Sequence, residues 1–294
     1  MNCKRVKVRV AATSANLGGG FDCMGLALGI YHTVTVEPSD RLEITSNTDA
    51  PSDASNLIYA SMNEVFKRYG AADKKVSIRS VSDIPQASGL GSSASCIVAG
   101  VTAANVLLNA RMSGDEILSL CAALDGHPDN VLPALKGGVT AGYIAESGKV
   151  EFVRATARGR VSVAVATPDF PLPTSKARAA LPDTYRRADC VYSLSRAVVT
   201  FAALSSDENA SMLKAVGDRL HEPYRKPLIK GYDEVEAAFM ATGAVSCCIS
   251  GAGPSVLAFY VGGKKCEPVL PRGWTVRYPV IDNSPVYVAS EYGS

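Results

Sequence analysis

The sequence predicts an α+β protein, with strands and helices mixed rather than regularly alternated. Three observations carry that prediction. Stretches with an apolar–polar period of two, such as residues 5–10, are interleaved with stretches whose apolar positions recur every three or four residues, such as 56–69. The two kinds do not succeed one another as β-α-β units, and no internal repeat is present. Glycine-containing polar stretches at residues 12–22, 85–95 and 250–256 interrupt the pattern where elements end.

In chain order, residues 5–10 (Arg-Val-Lys-Val-Arg-Val) read as a half-buried strand. Residues 12–22 hold Gly18, Gly19 and Gly20 between Asn16 and Asp22. They form either a long flexible hairpin or a polar cradle for a small substrate. Strands follow at 31–36 and 41–45. Ile58, Met62, Val65, Phe66 and Tyr69 then share one face of a helix ended by Gly70. A strand at 75–79 leads into the second glycine stretch. The helix after it, from Ser92 to Leu108, is apolar nearly all round and belongs in the interior.

Ser113 is a good N-cap for a helix through Leu124, with Asp115 and Glu116 in its first turn. Pro128 is expected to stop that helix, with Asp125 and Asp129 facing across the break, either as a polar cluster or as a solvated turn. His127, at that break, is read as structural and bonded to a backbone carbonyl. A strand at 139–143 closes this half. A second unit is expected from about residue 150, dividing the chain into 1–150 and 151–294. It contains strands at 161–166, 247–249, 256–260, 275–279 and 286–288, a proline-rich loop at 167–173, a short helix opening at 174–178, and helices at about 191–205, 209–218 and 231–241.

Composition bounds the function. The chain has 294 residues, 47% apolar and 20% charged, as in a folded globular protein of one large or two smaller domains. The net charge is only +2, and the basic doublets Lys74-Lys75, Arg186-Arg187 and Lys264-Lys265 lack interleaved aromatics, so nucleic acid is not an expected partner. No signal peptide or membrane span is expected. The eight cysteines form no Cys-x-x-Cys and read as buried free thiols of a reducing compartment. Three scattered histidines argue against a His-rich metal centre.

The stretch 85–95 (Pro-Gln-Ala-Ser-Gly-Leu-Gly-Ser-Ser-Ala-Ser) organises the rest. Gly89 and Gly91 permit a sharp turn, and the helix after them presents free N–H groups at its positive end, which suits phosphate. A serine-capped turn is the plain alternative. The stretch is not a Walker loop. Gly89-x-Gly91-x-x-Ala94 fits a relaxed dinucleotide fingerprint, but no strand runs straight into it and no acidic residue stands about 20 positions on.

Taken together, residues 12–22, 85–95 and 250–256 resemble the three signature motifs of the GHMP kinases, the superfamily of galacto-, homoserine, mevalonate and phosphomevalonate kinases. Gly-His-Pro-Asp-Asn-Val at 126–131 and Glu-Pro-Tyr-Arg at 222–225 are similar to segments of its homoserine-phosphorylating branch. The resemblance implies the GHMP kinase fold: an N-terminal, ATP-binding domain of the ribosomal-S5-domain-2 type and a ferredoxin-like C-terminal domain, with the site between them. It also implies ATP-dependent phosphorylation of the hydroxyl of L-homoserine in threonine biosynthesis, by a cytoplasmic homodimer; another small-molecule alcohol kinase of the superfamily, or a catalytically inactive relative that binds a ligand, is the alternative.

The resemblance further assigns candidate residues. Pro85, Ser88, Gly89, Leu90, Gly91, Ser92, Ser93 and Ser95 would wrap the triphosphate. Asn56 matches a position near adenine or ribose, with a plain N-cap as its alternative. Ser93 and Asp125 would meet Mg²⁺, although the family usually has Glu where this chain has Asp125. Asn16, Asp22, Arg178 and Arg225 would hold the amino-acid substrate, the arginines through paired donors to its carboxylate. Asp129 and Asn130, with Arg178, would lie at the reacting hydroxyl. Asp129 is a candidate base, with direct transfer as the alternative. Gly251, Ala252 and Gly253 would form a tight turn towards the substrate. Gly19 departs from the family's usual Pro.

Overall fold

The computed structural model describes residues 3–263 and 267–293; the Lys264-Lys265 doublet and Cys266 lie outside the described residues. The elements, in order, are β1 (Cys3–Ala15), β2 (Met24–Pro38), β3 (Glu43–Ser46), α1 (Leu57–Arg68), β4 (Val76–Ser82), α2 (Ser92–Leu107), α3 (Gly114–Asp125), α4 (Pro128–Lys136), β5 (Val139–Ile144), β6 (Val150–Ala155) and β7 (Val161–Pro168). They continue with α5 (Thr174–Ala179), α6 (Arg187–Ser205), a 3-10 turn (Ala210–Ala215), α7 (Glu222–Arg225), a second 3-10 turn (Lys226–Leu228), α8 (Tyr232–Ala241), β8 (Ser246–Ile249), β9 (Val256–Val261), β10 (Trp274–Arg277) and β11 (Tyr287–Tyr292).

Two sheets organise these elements. The larger has the order β11-β1-β2-β4-β3, with β5 added to β2 and β6 to β5. Only β3 and β4 pair in parallel within it. The smaller sheet has the order β10-β7-β9-β8 and is antiparallel throughout. The larger sheet takes strands from both sides of residue 150, since β6 and β11 both join it.

Strand β1 shows why alternation revealed only part of its length. Arg5, Lys7 and Arg9 face solvent while Val6, Val8 and Val10 are buried, but every residue from Ala11 to Ala15 is buried. There the sheet is covered on both faces, so no period of two survives. The same reason hides the first half of β2, whose residues Met24 to Leu28 are all buried. Strand β6 was not foreseen, its residues being mostly part-exposed without clean alternation.

Helix α2 lies where its composition requires, packed between α1, α3 and α4 and against β1. Its Ile97, Val98 and Val101 join Met62, Phe66, Val8 and Val34 in one apolar cluster. A second cluster joins the two sheets, linking Leu17, Met24 and Leu26 to Val163, Val165, Leu257 and Phe259. A third covers the far face of the smaller sheet with Tyr232, Val235 and Phe239 of α8.

Two helix expectations are corrected. Pro128 does not stop a helix: α3 ends at Gly126 in the left-handed region, and Pro128 is the first residue of α4. Proline suits that position because the first-turn N–H needs no intrahelical partner. Residues 209–218 form only a 3-10 turn at Ala210–Ala215, whose buried residues Ala210 and Leu213 are three apart, the 3-10 period. By contrast, Ser113 caps α3 as expected, in a full capping box with Glu116.

Phe66 is wholly buried in the cluster around α1 and α2. Phe66→Ala should lower the unfolding free energy by about 3–5 kcal/mol, the cost of lost burial plus a cavity, as measured by urea denaturation. A change below about 1 kcal/mol would show that this cluster collapses around the gap.

Candidate active site

Three loops meet at one place because backbone groups tie them together. Thr13 N–H donates to Leu90 O at 3.1 Å, Gly251 N–H to Ala15 O at 3.1 Å, and Ser255 N–H to Ser88 O at 3.1 Å. Ser250 Oγ sits 2.9 Å from Ser14 Oγ and 2.7 Å from Gly89 O. The residues 12–22, 85–95 and 250–256 thus surround a common cavity of about 310 Å³.

The floor of that cavity is the start of α2. Gly89 and Gly91 have φ of +81° and +70°, and a Cβ on Gly91 would overlap Thr13 Oγ1. The N-cap is Gly91 itself, with no side-chain cap bond. The serine-capped turn is therefore corrected: Ser92 and Ser93 are the first helical residues, and both line the cavity. The first-turn N–H groups are left without a capping side chain at the positive end of a helix.

Not every predicted loop residue faces the cavity. Leu90 is buried in the apolar cluster between the sheets, and only its carbonyl contributes, through Thr13. Ser95 faces away: its hydroxyl donates to Ser92 O at 2.7 Å and lies 2.9 Å from His32 Nδ1. Since Ser95 has one hydroxyl proton, His32 Nδ1 donates to it, and His32 Nε2 accepts from Ser80 Oγ at 2.8 Å. Burial pushes the His32 imidazole down to about 4. Pro85 is half-buried and accepts the Ser88 hydroxyl at 2.7 Å, while Ser88 itself borders the cavity.

Ser92 and Ser93 also line a second cavity, of about 230 Å³, with Asn56, Gln86 and Cys96. Asn56 is the N-cap of α1: its Oδ1 accepts from Ile58 N–H, and its Nδ2 donates to Pro51 O at 2.7 Å. It therefore shapes the second cavity while its amide is already engaged.

Asp22 and Arg178 form a two-bond ion pair, with both N–O distances 3.0 Å. The Arg178 side chain keeps 44% exposure. Arg225 is different: it is only 1% exposed. Its Nη1 lies 3.2 Å from both Gly251 O and His221 Nδ1. His221 Nε2 donates to Gly18 O at 3.0 Å, which leaves Nδ1 as the acceptor for Arg225. Burial holds His221 down at about 4, reinforced by the Arg225 charge.

Asn16 is a brace rather than a free ligand. Its Nδ2 donates to Gly251 O at 2.7 Å, and its Oδ1 accepts from Asp22 N–H at 3.0 Å. It still borders the cavity. Gly19 also has a local reason: a Cβ there would overlap the carbonyl of Ser193 on α6.

Asp129 and Asn130 stand in the first turn of α4, opposite the start of α2. Asn130 Oδ1 accepts from Thr13 Oγ1 at 2.7 Å, and Asn130 Nδ2 donates to Asp129 Oδ1 at 3.3 Å. His127 does not bond a backbone carbonyl as expected: its Nδ1 meets Asp129 Oδ1 at 2.8 Å. That bond raises His127 to about 9 against the opposing effect of burial, so it is an imidazolium at neutral pH. Thr13, Phe21 and His127 were missed or misread in the sequence. Phe21 stacks on His221 and lies under the Arg178 and Arg225 guanidiniums. Its position beside Asp22 in the glycine-rich stretch was the available signal.

Asp22, His127 and Asp129 bring three ligand atoms within 4.8 Å of one another. Asp22 is already neutralised by Arg178 and Asp129 by His127, so the group reads as an ion-pair network. Asp125 contrasts with them. Its side chain is 10% exposed, its nearest cation is His127 at 4.0 Å, and burial pushes its carboxyl up to about 6. An under-compensated carboxylate and Ser93, both lining one cavity, offer hard oxygen donors of the kind that a magnesium ion takes.

Residues 56–138 match the N terminal domain of the GHMP kinases. The chain is 41% identical to a homoserine kinase of Caldicellulosiruptor saccharolyticus over 86% of its length and 83% of that protein's. It is 40% identical to one of Deinococcus radiodurans over the same shares. It superposes on the crystal structure of homoserine kinase from Cytophaga hutchinsonii with a TM-score of 0.82 at 27% identity, covering 97% of this chain and 98% of that one. A mevalonate kinase shares the fold, with a TM-score of 0.67 at 13% identity over 95% of this chain and 99% of that one.

Both buried imidazoles have their folded-state values near 4, against an ordinary 6.5. Between those limits the unfolded chain binds more protons at these two sites than the folded one, so their contribution to stability is full above pH 6.5 and falls as the pH drops towards 4. The raised Asp125 and Glu222 carboxyls work in the opposite sense over part of that range. For His32 alone the loss should reach about 3 kcal/mol. Urea denaturation of wild type and His32→Asn at stepped pH checks this, the wild type losing more stability than the variant between pH 6.5 and 4. An equal loss in both would mean that His32 protonates without cost.

Proposed function

The chain belongs to the homoserine kinases of the GHMP superfamily, and from that premise we propose that it transfers the terminal phosphoryl group of ATP to the side-chain hydroxyl of L-homoserine. The products are ADP and O-phospho-L-homoserine, for threonine biosynthesis. The observation that carries this reading is the opposition, across one cavity, of an uncapped helix N-terminus and an Asp22–Arg178 pair. The first suits a phosphate chain, and the second suits a zwitterion.

The two cavities divide the nucleotide. Ser92 and Ser93 border both, so a triphosphate lying along the start of α2 would have its nucleoside in the cavity beside Asn56 and Gln86. The N–H groups at 91–93 would bind the phosphate oxygens. Ser93 and Asp125 would hold Mg²⁺, which when bound neutralises phosphate charge and orients the chain of phosphates.

Homoserine would enter between Asp22 and Arg178. Its ammonium replaces the guanidinium at Asp22, and its carboxylate replaces Asp22 at Arg178, exchanging one ion pair for two. Arg225, buried and braced by His221 and Gly251, adds positive potential behind that carboxylate. In the step itself the substrate hydroxyl oxygen forms a bond to the γ-phosphorus as the bond to the ADP oxygen breaks. The hydroxyl proton then passes to the transferred phosphoryl group. Direct transfer leaves the contacts of Asp129 Oδ1 with His127 and Asn130 intact, with Asp129 as base the alternative. Asp129 and Asn130 then position the hydroxyl.

No described helix is long and apolar enough to cross a membrane. The cytoplasm as the place of action, and a homodimer as the active form, complete the proposal.

A coupled assay of ADP release with homoserine, mevalonate, galactose and no acceptor tests the reaction; no homoserine-dependent turnover would overturn it. Within it, Arg178→Ala should raise KM for homoserine by at least about tenfold and change KM for ATP by less than about threefold. Gly91→Ala, whose added methyl intrudes at the start of α2, should do the reverse. Equal losses for both substrates in both variants would contradict the division of the cavity.

A further inference from the structure

Helix α6 carries an apolar face that no described residue covers. Val191, Leu194 and Val198 are 59%, 62% and 72% exposed. Ala188, Val191, Ser195, Val198 and Ala202 are all exposed and follow a three-four spacing, with Leu194 beside them. That is the repeat by which one helix lies along another. No charged residue interrupts it. The opposite face of α6, with Ser193, Thr200, Ala203 and Leu204, is buried in its own chain.

The charges at the two ends of α6 say what lies there. Arg186 is the N-cap and Arg187 the first helical residue, while Asp207 and Glu208 stand just beyond the C-cap Ser206. Both pairs have the wrong sign for the dipole of their own helix. Among the described residues none of these four side chains is in an ion pair; Asp207 accepts only the Arg160 backbone N–H, at 3.1 Å. Asp189, in the first turn, is already engaged by Arg219 at 3.3 Å. Two copies of α6 laid antiparallel would bring each basic end beside the other's acidic end, within about one helical turn. A parallel pair would set like charges together.

We propose that α6 is the self-association surface of this protein and pairs antiparallel with α6 of a second copy. The two-fold axis passes near Leu194 and Ser195, so that Val191 of each copy meets Val198 of the other. Such a contact is closed and self-complementary, which limits assembly to a dimer. It also lies directly behind the substrate loop, since the Ser193 backbone packs on Gly19 and the Ser193 hydroxyl donates to Asp218 at 2.8 Å. The inference rests on the homodimer of the proposed function and names its surface.

Sedimentation equilibrium on the full chain tests it. The wild type should be a dimer, and Val198→Asp should raise the dissociation constant by at least about tenfold. The double variant Arg186→Glu/Arg187→Glu should weaken association, as should Asp207→Lys/Glu208→Lys, and combining all four should restore it by recreating the pairs with their signs exchanged. This swap lies outside the buried face, so it remains informative even where Val198→Asp fails to fold. A wild-type monomer would overturn both the dimer and this surface, and would leave the face to a different partner. A dimer indifferent to Val198→Asp would overturn the surface alone. A combined variant no tighter than its two parents would overturn the antiparallel arrangement.

Discussion

The first turn of α2 ends in N–H groups that no side chain caps, and much of the remaining structure serves to hold them where an anion can reach them. Helices α1 and α3 receive ordinary caps from Asn56 and Ser113. At α2 the corresponding place is taken by Gly91 in a left-handed conformation that leaves the donors facing a cavity. Holding such a turn still requires support from several directions. Thr13 binds Leu90 in front of it, Ser250 reaches Gly89 from the smaller sheet, and His32 binds Ser95 behind it. Those contacts come from distant parts of the chain, so the loop's shape is a property of the whole fold.

Much of this was legible in the sequence, but unevenly. The glycines, serines and acidic residues of the three loops could be read because turns and charged groups leave local marks. The α+β class and the buried character of α2 followed from periodicity and composition. What stayed hidden was direction. Leu90 and Ser95 sit among residues that face the cavity, yet they point into the interior, and nothing in a linear motif distinguishes the sides of a loop entering a helix. His127 was misread because its partner, Asp129, is two residues away across a helix start that Pro128 creates rather than prevents. The inner halves of β1 and β2 escaped because full burial erases alternation.

The electrostatics of the cavity separate fixed parts from exchangeable ones. Arg225 is immobilised by neutral His221 and by Gly251 O, with burial lowering its own basicity. Such a buried charge is a standing field that a ligand meets. Arg178 is the opposite case, partly exposed and held by a single carboxylate that a zwitterion can displace. Asp125 is the least compensated carboxylate of the cavity, and its weakened acidity is the physical record of that shortfall. A cation arriving there therefore meets a group that burial has already made unfavourable as a bare charge.

The pairing of β1 with β11 carries a consequence for how the protein is made. Cys3 is registered against Tyr292, and Val8 against Val288. Strand β1 supplies Thr13 and Ser14 to the loops around the cavity, yet its outer edge stays open until β11 has left the ribosome. While the residues between β1 and β11 are being added, the nascent chain therefore carries an unpaired, valine-rich edge, the kind of edge that recruits other strands. Lys4, Arg5, Lys7 and Arg9 lie along that strand. Their like charges discourage two nascent copies from pairing edge to edge, so the basic face of β1 protects the unfinished protein as well as solvating the finished one.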